Sequence, residues 1–241
     1  MAEIKNLFIK VKKNVAMEEV RQVSAISGYG LEGDVNANSL SPRQILLTRY
    51  EDLQIFRLSP GDLRENIVLQ GLSEKEFVPG SEVTLGDVKI RLTFNCEPCK
   101  RVAQFVKPSE IIGKRGILGV VLSSGLLKQN MEAHVKLNAF ESLSEIPFER
   151  FLNFIEQIPK GKIVTYKDII VSIGVANSSV RAIPNYINKA SRLGYPVHRI
   201  VNSEGRLIPE YVDNQLNLLI EEGIEIKTVA GLFFLETSAE F

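Results

Sequence analysis

The sequence predicts an α+β protein whose N-terminal part is a β-barrel and whose C-terminal part is a small helical domain. Before residue 139, short apolar runs of strand-like composition are separated by frequent glycine turns, which is typical of a β-barrel or a sandwich. Beyond residue 147, apolar residues recur at the spacing of amphipathic helices. The spacing of apolar residues changes from strand-like to helical in the stretch AFESLSEIP. We therefore expect one domain over residues 1–140 and another over residues 148–241.

Length and composition are those of an ordinary soluble protein. The chain has 241 residues, of which 44% are hydrophobic and 24% charged, and either part is long enough to bury a core of its own. No apolar run approaches the roughly 18 residues of a membrane span, and the N-terminus lacks the apolar centre of a signal peptide. We therefore expect no membrane association and a cytoplasmic location, with the nucleus as the alternative. The two cysteines are too few for a disulfide-built secreted scaffold.

The charge of the chain is zero overall but unevenly distributed. Residues 148–206 contain nine Lys/Arg and four Asp/Glu, whereas residues 207–241 contain one Lys and seven Asp/Glu. A local basic excess favours a polyanionic partner such as nucleic acid. A solvated surface of mixed charge is the alternative interpretation of the same counts.

The first domain shows strand patterns with one helical interruption. The opening IKNLFIKV has strand-like composition, and a helix is expected near residues 49–57. The run VTLGDVKIRLTF predicts a hairpin that turns at Gly86 and Asp87. Its second strand is expected to present four apolar side chains on one face: Val88, Ile90, Leu92 and Phe94.

The second domain shows four helix patterns. An apolar stripe predicts a first helix that ends before Pro159, and it is formed by Phe148, Phe151, Leu152, Ile155 and Ile158. Thr165 and Asp168 predict a capping box for a short helix that runs to Ile173. A third helix near residues 180–190 is expected to take its N-cap from residues 177–179. A fourth, near residues 212–222, is expected to end at Gly223.

The second and third helices have the spacing of a helix-turn-helix. The turn lies at residues 174–178, and Arg181 stands near the start of the second, recognition helix. Early residues of a recognition helix are those that reach base edges in DNA. An all-α core with the same spacing is the alternative.

Three segments of the second domain resemble a known family of DNA-binding domains. The order GKIVTYKDII, SVRAI and YPVHRIVNSEG is similar to that of alkylguanine-DNA alkyltransferases, and more so to the non-enzymatic alkyltransferase-like proteins, over residues 148–223. The resemblance implies a winged helix-turn-helix that binds double-stranded DNA. It also implies that Tyr166 presses on the DNA backbone and that Arg181 fills the space left by a flipped base. The base pocket would be formed by Pro196, Val197, His198 and Arg199.

Val197 occupies the position at which the repair enzymes carry their nucleophilic cysteine. Alkyl transfer needs a thiolate, and a valine side chain has no lone pair to attack with. The chain is therefore not expected to be an alkyltransferase, and recognition of alkylated guanine by base flipping remains as the expected task. Pro184 and Asn185 depart from the family pattern, since proline fits only the first turn of a helix. A degenerate domain that packs or docks a protein is the alternative.

Several phrases of the first domain resemble the MOSC domain, named for the C-terminus of molybdenum-cofactor sulfurases. They are GLEGDVNA, GDLRENIVLQGL, CEPCKRV and GKRGILGVVLSSG. The resemblance implies a β-barrel that carries sulfur on Cys99 or binds molybdopterin, with a sulfur donor protein as partner and an association with pyridoxal phosphate. The implied cofactor-binding residues are Asp34, Glu65, Asn66, Cys96 and Arg115. Asn36 stands where the family often has a histidine, which puts turnover in doubt.

Cys99 also has a reasonable sequence context for a reactive thiol. Basic residues lie close in sequence, namely Lys100, Arg101, Lys114 and Arg115, and cationic surroundings favour a thiolate. Cys96 and Cys99 form a C-x-x-C pair, which fits a redox pair or half of a zinc site, and two buried structural cysteines are the remaining alternative. We expect no metal site. For the whole chain, an enzyme of sulfur or molybdenum-cofactor metabolism with a C-terminal docking module is the alternative hypothesis.

Overall fold

The computed structural model describes residues 1–100, 102–229 and 232–235. The chain forms two compact units, Met1–Glu145 and Ile146–Phe241. No helix of the described residues is long and apolar enough to cross a membrane.

The first unit is built on a curled eight-stranded sheet. Its elements are β1 (Glu3–Ile9), β2 (Glu18–Val20), β3 (Gln22–Ile26), β4 (Gly30–Leu31), β5 (Ile45–Arg49), α1 (Tyr50–Ile55), β6 (Ile67–Gln70), β7 (Glu82–Leu85), β8 (Val88–Asn95), β9 (Ile117–Val121), β10 (Gly125–Lys128) and β11 (Ala133–Lys136). The large sheet has the order β11-β7-β8-β9-β5-β6-β1-β2, and β10, β3 and β4 form a smaller one. All pairs are antiparallel except β5 with β6, between which α1 makes the crossover.

Backbone hydrogen bonds join β11, at one end of the large sheet, to β1, the next-to-last strand at the other end. The N–H of Ile4 in β1 donates to the carbonyl of Met131 at 2.9 Å, and the N–H of Ala133 in β11 donates to that of Ala2 at 2.8 Å. The sheet thereby closes on itself around a core of aliphatic side chains from β1, β5, β6, β7, β8 and β9. The predicted α+β class, the N-terminal barrel, helix α1 and the hairpin at Gly86 are confirmed.

A bulge in β8 corrects one detail of the predicted strand pattern. The register between β8 and β9 shifts between Leu92 and Asn95. Because a bulge reverses the alternation of side chains, Phe94 leaves the barrel core and joins a second apolar cluster with Leu46 and Leu118. The prediction that Phe94 shares a face with the other three apolar residues is therefore wrong. The same cluster contains Cys96.

The second unit is a small helical domain with a two-stranded wing. Its elements are α2 (Pro147–Glu156), β12 (Val164–Thr165), α3 (Tyr166–Ser172), a 3-10 helix (Asn177–Ala182), α4 (Ile183–Arg192), β13 (Ile200–Val201), α5 (Gln215–Glu221), β14 (Ile226–Val229) and β15 (Leu232–Leu235). β12 and β13 pair in parallel, and β14 and β15 form an antiparallel hairpin. The predicted winged helix-turn-helix is confirmed.

Most of the predicted helix ends of this unit are found where the sequence signals place them. Thr165 and Asp168 form the reciprocal capping box of α3. Gly223, with a φ of 83°, follows the end of α5. The predicted N-cap of the recognition helix, at residues 177–179, is wrong, however. Residues 177–179 begin a 3-10 helix, α4 starts only after Ala182, and Pro184 consequently lies in the first turn, where its missing N–H costs nothing.

Candidate nucleic-acid interface and cysteine site

The turn that carries Val197 is tightly folded and largely buried. Pro196 has φ −76° and ψ 55°, and the N–H of Val197 donates to the carbonyl of Tyr195 at 2.7 Å. A single turn of 3-10 helix follows over Val197–Arg199. The Val197 side chain is 4% exposed and packs in the apolar core of the second unit. The first residue of this 3-10 turn therefore has a buried apolar side chain.

Glu222, at the end of α5, is the anchor of this turn. Its carboxylate accepts from Arg199 Nη2 at 2.7 Å and from the Gly161 N–H at 3.0 Å, and it lies 2.9 Å from His198 Nε2. Burial alone would raise the pKa of Glu222, but the hydrogen bonds from Arg199 and His198 lower it to about 2. The ionised carboxylate therefore holds two consecutive residues of the turn.

Gln215 holds the same turn through the backbone. Its side-chain NH₂ donates to the carbonyls of His198 at 3.1 Å and Ile200 at 2.7 Å, and its Oε1 accepts from the Ile208 N–H at 2.7 Å. The predicted site residue Arg199 is 8% exposed, and its Nη1 donates to the Ile158 carbonyl at 2.7 Å. The Arg199 guanidinium thus makes its hydrogen bonds to groups inside the protein, and it positions the turn.

Sequence reasoning missed both Glu222 and Gln215. The available signal was weak: Gln215 is a single polar residue at the start of a helix with an apolar face, and Glu222 is one of two consecutive acids before Gly223. Nothing local distinguishes the anchoring carboxylate from its exposed neighbour Glu221, because the selection is made by tertiary contacts.

The two predicted base-flipping residues lie in different environments. Tyr166, the first residue of α3, is 9% exposed and packs in the same apolar cluster as Val197. Among the described residues its hydroxyl finds no hydrogen-bond partner. Burial raises the pKa of the Tyr166 phenol, and the charge of Glu210 adds to the effect. Arg181 is exposed at the end of the 3-10 helix that leads into α4.

The basic excess of this region is smaller at the surface than in the sequence. Two of its nine basic residues, Arg150 and Arg199, are buried and donate to carbonyls of the domain. The exposed ones are Lys160, Lys167, Arg181, Lys189 and Arg192. They flank α3 and α4, which are the helices of the helix-turn-helix. The remaining positive charge is therefore presented by the elements expected to meet DNA.

In the first unit, the predicted binding residues Asp34 and Asn66 are brought together by the fold. Asn66 Nδ2 donates to Asp34 Oδ2 at 2.8 Å, and Asp34 also accepts from the N–H groups of Lys10 at 3.0 Å and Asn36 at 2.7 Å. Asn66 Oδ1 accepts from the Leu46 N–H at 3.0 Å. Both side chains are buried, and their polar atoms are engaged in these internal hydrogen bonds. Asp34 and Asn66 therefore connect neighbouring segments of the barrel.

Glu65, the third predicted binding residue of this region, is fully buried. One carboxyl oxygen accepts from the Gly61 N–H at 2.7 Å, while the other has no hydrogen-bond partner among the described residues. Burial raises the pKa of the Glu65 carboxyl, which the Gly61 N–H opposes. The pKa is raised because the ionised form of a buried carboxyl is poorly solvated.

Cys96 is buried on the outer side of the barrel wall, beside two arginines. Its thiol is 2% exposed and accepts from Arg43 Nη2 at 3.7 Å. Arg115 donates to the carbonyl of Glu97, and Arg43 Nη1 pairs with the Glu97 carboxylate at 2.9 Å. Burial raises the pKa of the Cys96 thiol, and the charges of Arg115 and Arg43 oppose that shift.

Cys99 is partly exposed and lies against a third apolar cluster of the first unit. Both cysteines are free thiols. Of the basic residues expected around them, Lys114 pairs with Glu74, and Arg101 lies outside the described residues. Within the described part of the chain, no group of three or more His, Cys, Asp or Glu side chains could hold a metal ion.

Two protein-family models match the chain. Residues 29–124 match the MOSC domain. Residues 147–224 match the DNA-binding domain of 6-O-methylguanine DNA methyltransferase. The two matched segments do not overlap, and each falls within one of the two compact units. No curated protein matches the chain.

Solved structures similar to the chain include the following three. YiiM from Geobacillus stearothermophilus is 14% identical, with 91% of this chain and all of that chain covered and a TM-score of 0.48. The YUAD protein from Bacillus subtilis is 17% identical over 56% of this chain and 96% of that chain, with a TM-score of 0.49. Atl1 from S. pombe, in complex with damaged DNA containing O6-carboxymethylguanine, is 25% identical over 39% of this chain and 94% of that chain, with a TM-score of 0.36.

Proposed function

The chain contains a MOSC domain followed by a DNA-binding domain of the 6-O-methylguanine DNA methyltransferase type, and we propose that this second domain recognises alkylated guanine in double-stranded DNA without repairing it. One observation carries the proposal. The turn with Val197 is fixed by side-chain hydrogen bonds from Glu222 and Gln215, yet residue 197 is a buried valine that has no nucleophilic atom. A site without a nucleophile can bind an alkylated base but cannot accept its alkyl group.

Arg181 and Tyr166 would share the work of extruding the base. Arg181 is exposed just before the recognition helix, so its guanidinium can enter the duplex and replace a base that leaves the stack. Tyr166 belongs to the same apolar cluster as Val197, and its hydroxyl is buried and has no partner among the described residues, so a contact with DNA requires that the phenol turn outward. Unstacking a base costs a few kcal/mol, and least for a damaged pair, which gives the pocket its preference.

Fluorescence anisotropy with matched duplexes tests the proposal. The full-length chain is titrated with two labelled duplexes that differ only in one O6-methylguanine, across a salt series. We expect tighter binding to the modified duplex and an affinity for both that falls with salt. Arg181→Ala should weaken binding of the modified duplex by about 1–3 kcal/mol. The difference in affinity between the modified and the unmodified duplex should become smaller.

Two matched variants separate recognition from general attraction. Arg192→Ala, at the other end of α4, should lower the affinity for both duplexes equally, because it removes only a positive charge. Arg21→Ala, an exposed arginine of the first unit, should change neither affinity. Equal affinity for the two duplexes, unchanged by Arg181→Ala, would rule out lesion recognition, and no binding at low salt would rule out DNA binding altogether.

For the MOSC domain we propose that Cys99 carries sulfur. It is the accessible member of the C-x-x-C pair, whereas the Cys96 thiol is buried. Cys99 would also be the residue to hold molybdenum cofactor, which supplies oxygen- or sulfur-transfer chemistry at its metal when bound, whereas Arg115 is 6% exposed and donates to the Glu97 carbonyl. Asp34 and Asn66 do not fit a ligand role, because internal hydrogen bonds occupy them. The association with pyridoxal phosphate stays a prediction.

A further inference from the structure

The C-x-x-C pair is placed at the junction between the barrel wall and an irregular segment. Cys96 directly follows β8, and its N–H donates to the Gly116 carbonyl at 2.9 Å, which fixes it to the wall. Cys99 lies three residues further on, and its backbone carbonyl accepts from the Val102 N–H at 3.1 Å. One cysteine is therefore tied to the rigid sheet and the other begins a loop.

The two thiols differ in access. Cys96 is 2% exposed among Leu46, Phe94 and Leu118, where the β8 bulge places it. Cys99 is partly exposed and packs at the rim of a different apolar cluster. An external sulfur donor would therefore reach Cys99 and not Cys96. Such a division is the one needed when an accessible thiol receives a group and a sheltered thiol removes it.

Two arginines face the buried thiol. Arg43 Nη2 lies 3.7 Å from Cys96 Sγ, and Arg115 is held beside it through the Glu97 carbonyl. Arg115 is 6% exposed, and its Nε finds no hydrogen-bond partner among the described residues. A thiolate that forms at Cys96 would thus meet two guanidinium groups, of which one has a spare donor. Cations this close to a thiol favour its thiolate, which is the form that attacks a persulfide.

We propose that Cys96 is a resolving thiol, which attacks a persulfide on Cys99 and releases its outer sulfur as hydrogen sulfide. The inference rests on the proposed sulfur carriage by Cys99. Cys96 loses its proton, its thiolate attacks Cys99 Sγ, a Cys96–Cys99 bond forms, and the bond from Cys99 Sγ to the outer sulfur breaks. The outer sulfur leaves with both electrons of that bond as HS⁻ and takes up the proton. The two cysteines are oxidised and the outer sulfur is reduced, so no other oxidant or reductant enters the step.

Return to the starting state needs a dithiol reductant, which opens the Cys96–Cys99 disulfide by exchange. The cycle then turns a sulfane sulfur into free sulfide. The product is different from that of a simple carrier, which would pass its persulfide sulfur directly to an acceptor.

The test loads the full-length protein with inorganic polysulfide, removes the excess, and follows it without added thiol. Sulfide is measured with a selective electrode, and the state of each cysteine is read by alkylation and mass spectrometry. We expect the wild type to release about one sulfide per chain as the disulfide forms. Cys96→Ser should keep the persulfide on Cys99 and release sulfide at least about tenfold more slowly. Cys99→Ser should load no persulfide.

Arg43→Met gives a second variant that leaves both thiols in place. It should load the Cys99 persulfide normally and slow its resolution, since one cation beside the Cys96 thiolate is lost. Release by Cys96→Ser at the wild-type rate would overturn the proposal while leaving sulfur carriage intact. Absence of a persulfide on Cys99 in Cys96→Ser, together with no sulfide release from the wild type, would overturn sulfur carriage itself, and the resolving role with it.

Discussion

At the scale of single residues, Glu222 links the stability of the second unit to pH. Its pKa is about 2 in the folded chain and 4.5 ordinarily, so the unfolded state binds the proton more readily. The stabilisation is fully present above pH 4.5 and is lost as the pH falls through the folded value. Glu222→Gln should therefore lower the free energy of unfolding by about 3 kcal/mol at pH 7, and by progressively less toward pH 2. Urea denaturation across that range measures the difference. Glu221→Gln, the exposed neighbour, is the control, and an equal loss for both variants would contradict the anchoring role.

Val197 leads to the complementary prediction. His198 and Glu222 keep the arrangement that could activate an adjacent thiol, because the imidazole is oriented by the carboxylate at 2.9 Å. Val197→Cys replaces one small apolar side chain by another of similar size. We expect this variant to accept up to one methyl group per chain from a duplex with O6-methylguanine, seen as a mass increase on residue 197. The wild type should accept none, and the double variant Val197→Cys with Glu222→Gln should react more slowly. A Val197→Cys variant that binds the duplex but gains no mass would show that the turn has lost more than its nucleophile.

At the scale of elements, the sequence predicts what is decided locally and misses what is decided by partners. The capping box of α3 is written in Thr165 and Asp168, and both hydrogen bonds form within three residues. The bulge of β8 depends on the register of β9 and cannot be seen in the alternation of β8 itself. Its consequence reaches the cysteine site, because Cys96 follows Phe94 to the outer side of the wall. The start of α4 differs from the predicted start for a related reason. Asn177 and the two serines after it are good cap residues, but they begin a 3-10 helix, and α4 starts only at Ile183. Pro184 then lies in the first turn of α4, where proline is tolerated. The sequence indicates which residues form the turn, but not its supports, Glu222 and Gln215, because tertiary contacts select them.

At the scale of the whole molecule, the described residues place the two proposed activities in units with separate cores. Every apolar cluster draws its members from one unit: those around the barrel from residues before 146, those around the helices from residues after it. Since each site is supported by its own core, we expect the two activities to be separable in the intact chain. Cys99→Ser should leave the affinity for both duplexes unchanged within twofold, and Arg181→Ala should leave persulfide loading unchanged. Both variants are measured in both assays, fluorescence anisotropy with the two duplexes and persulfide loading. A Cys99→Ser chain that loses its preference for O6-methylguanine would instead show that the MOSC domain takes part in lesion recognition, and that sulfur chemistry and DNA binding belong to one function.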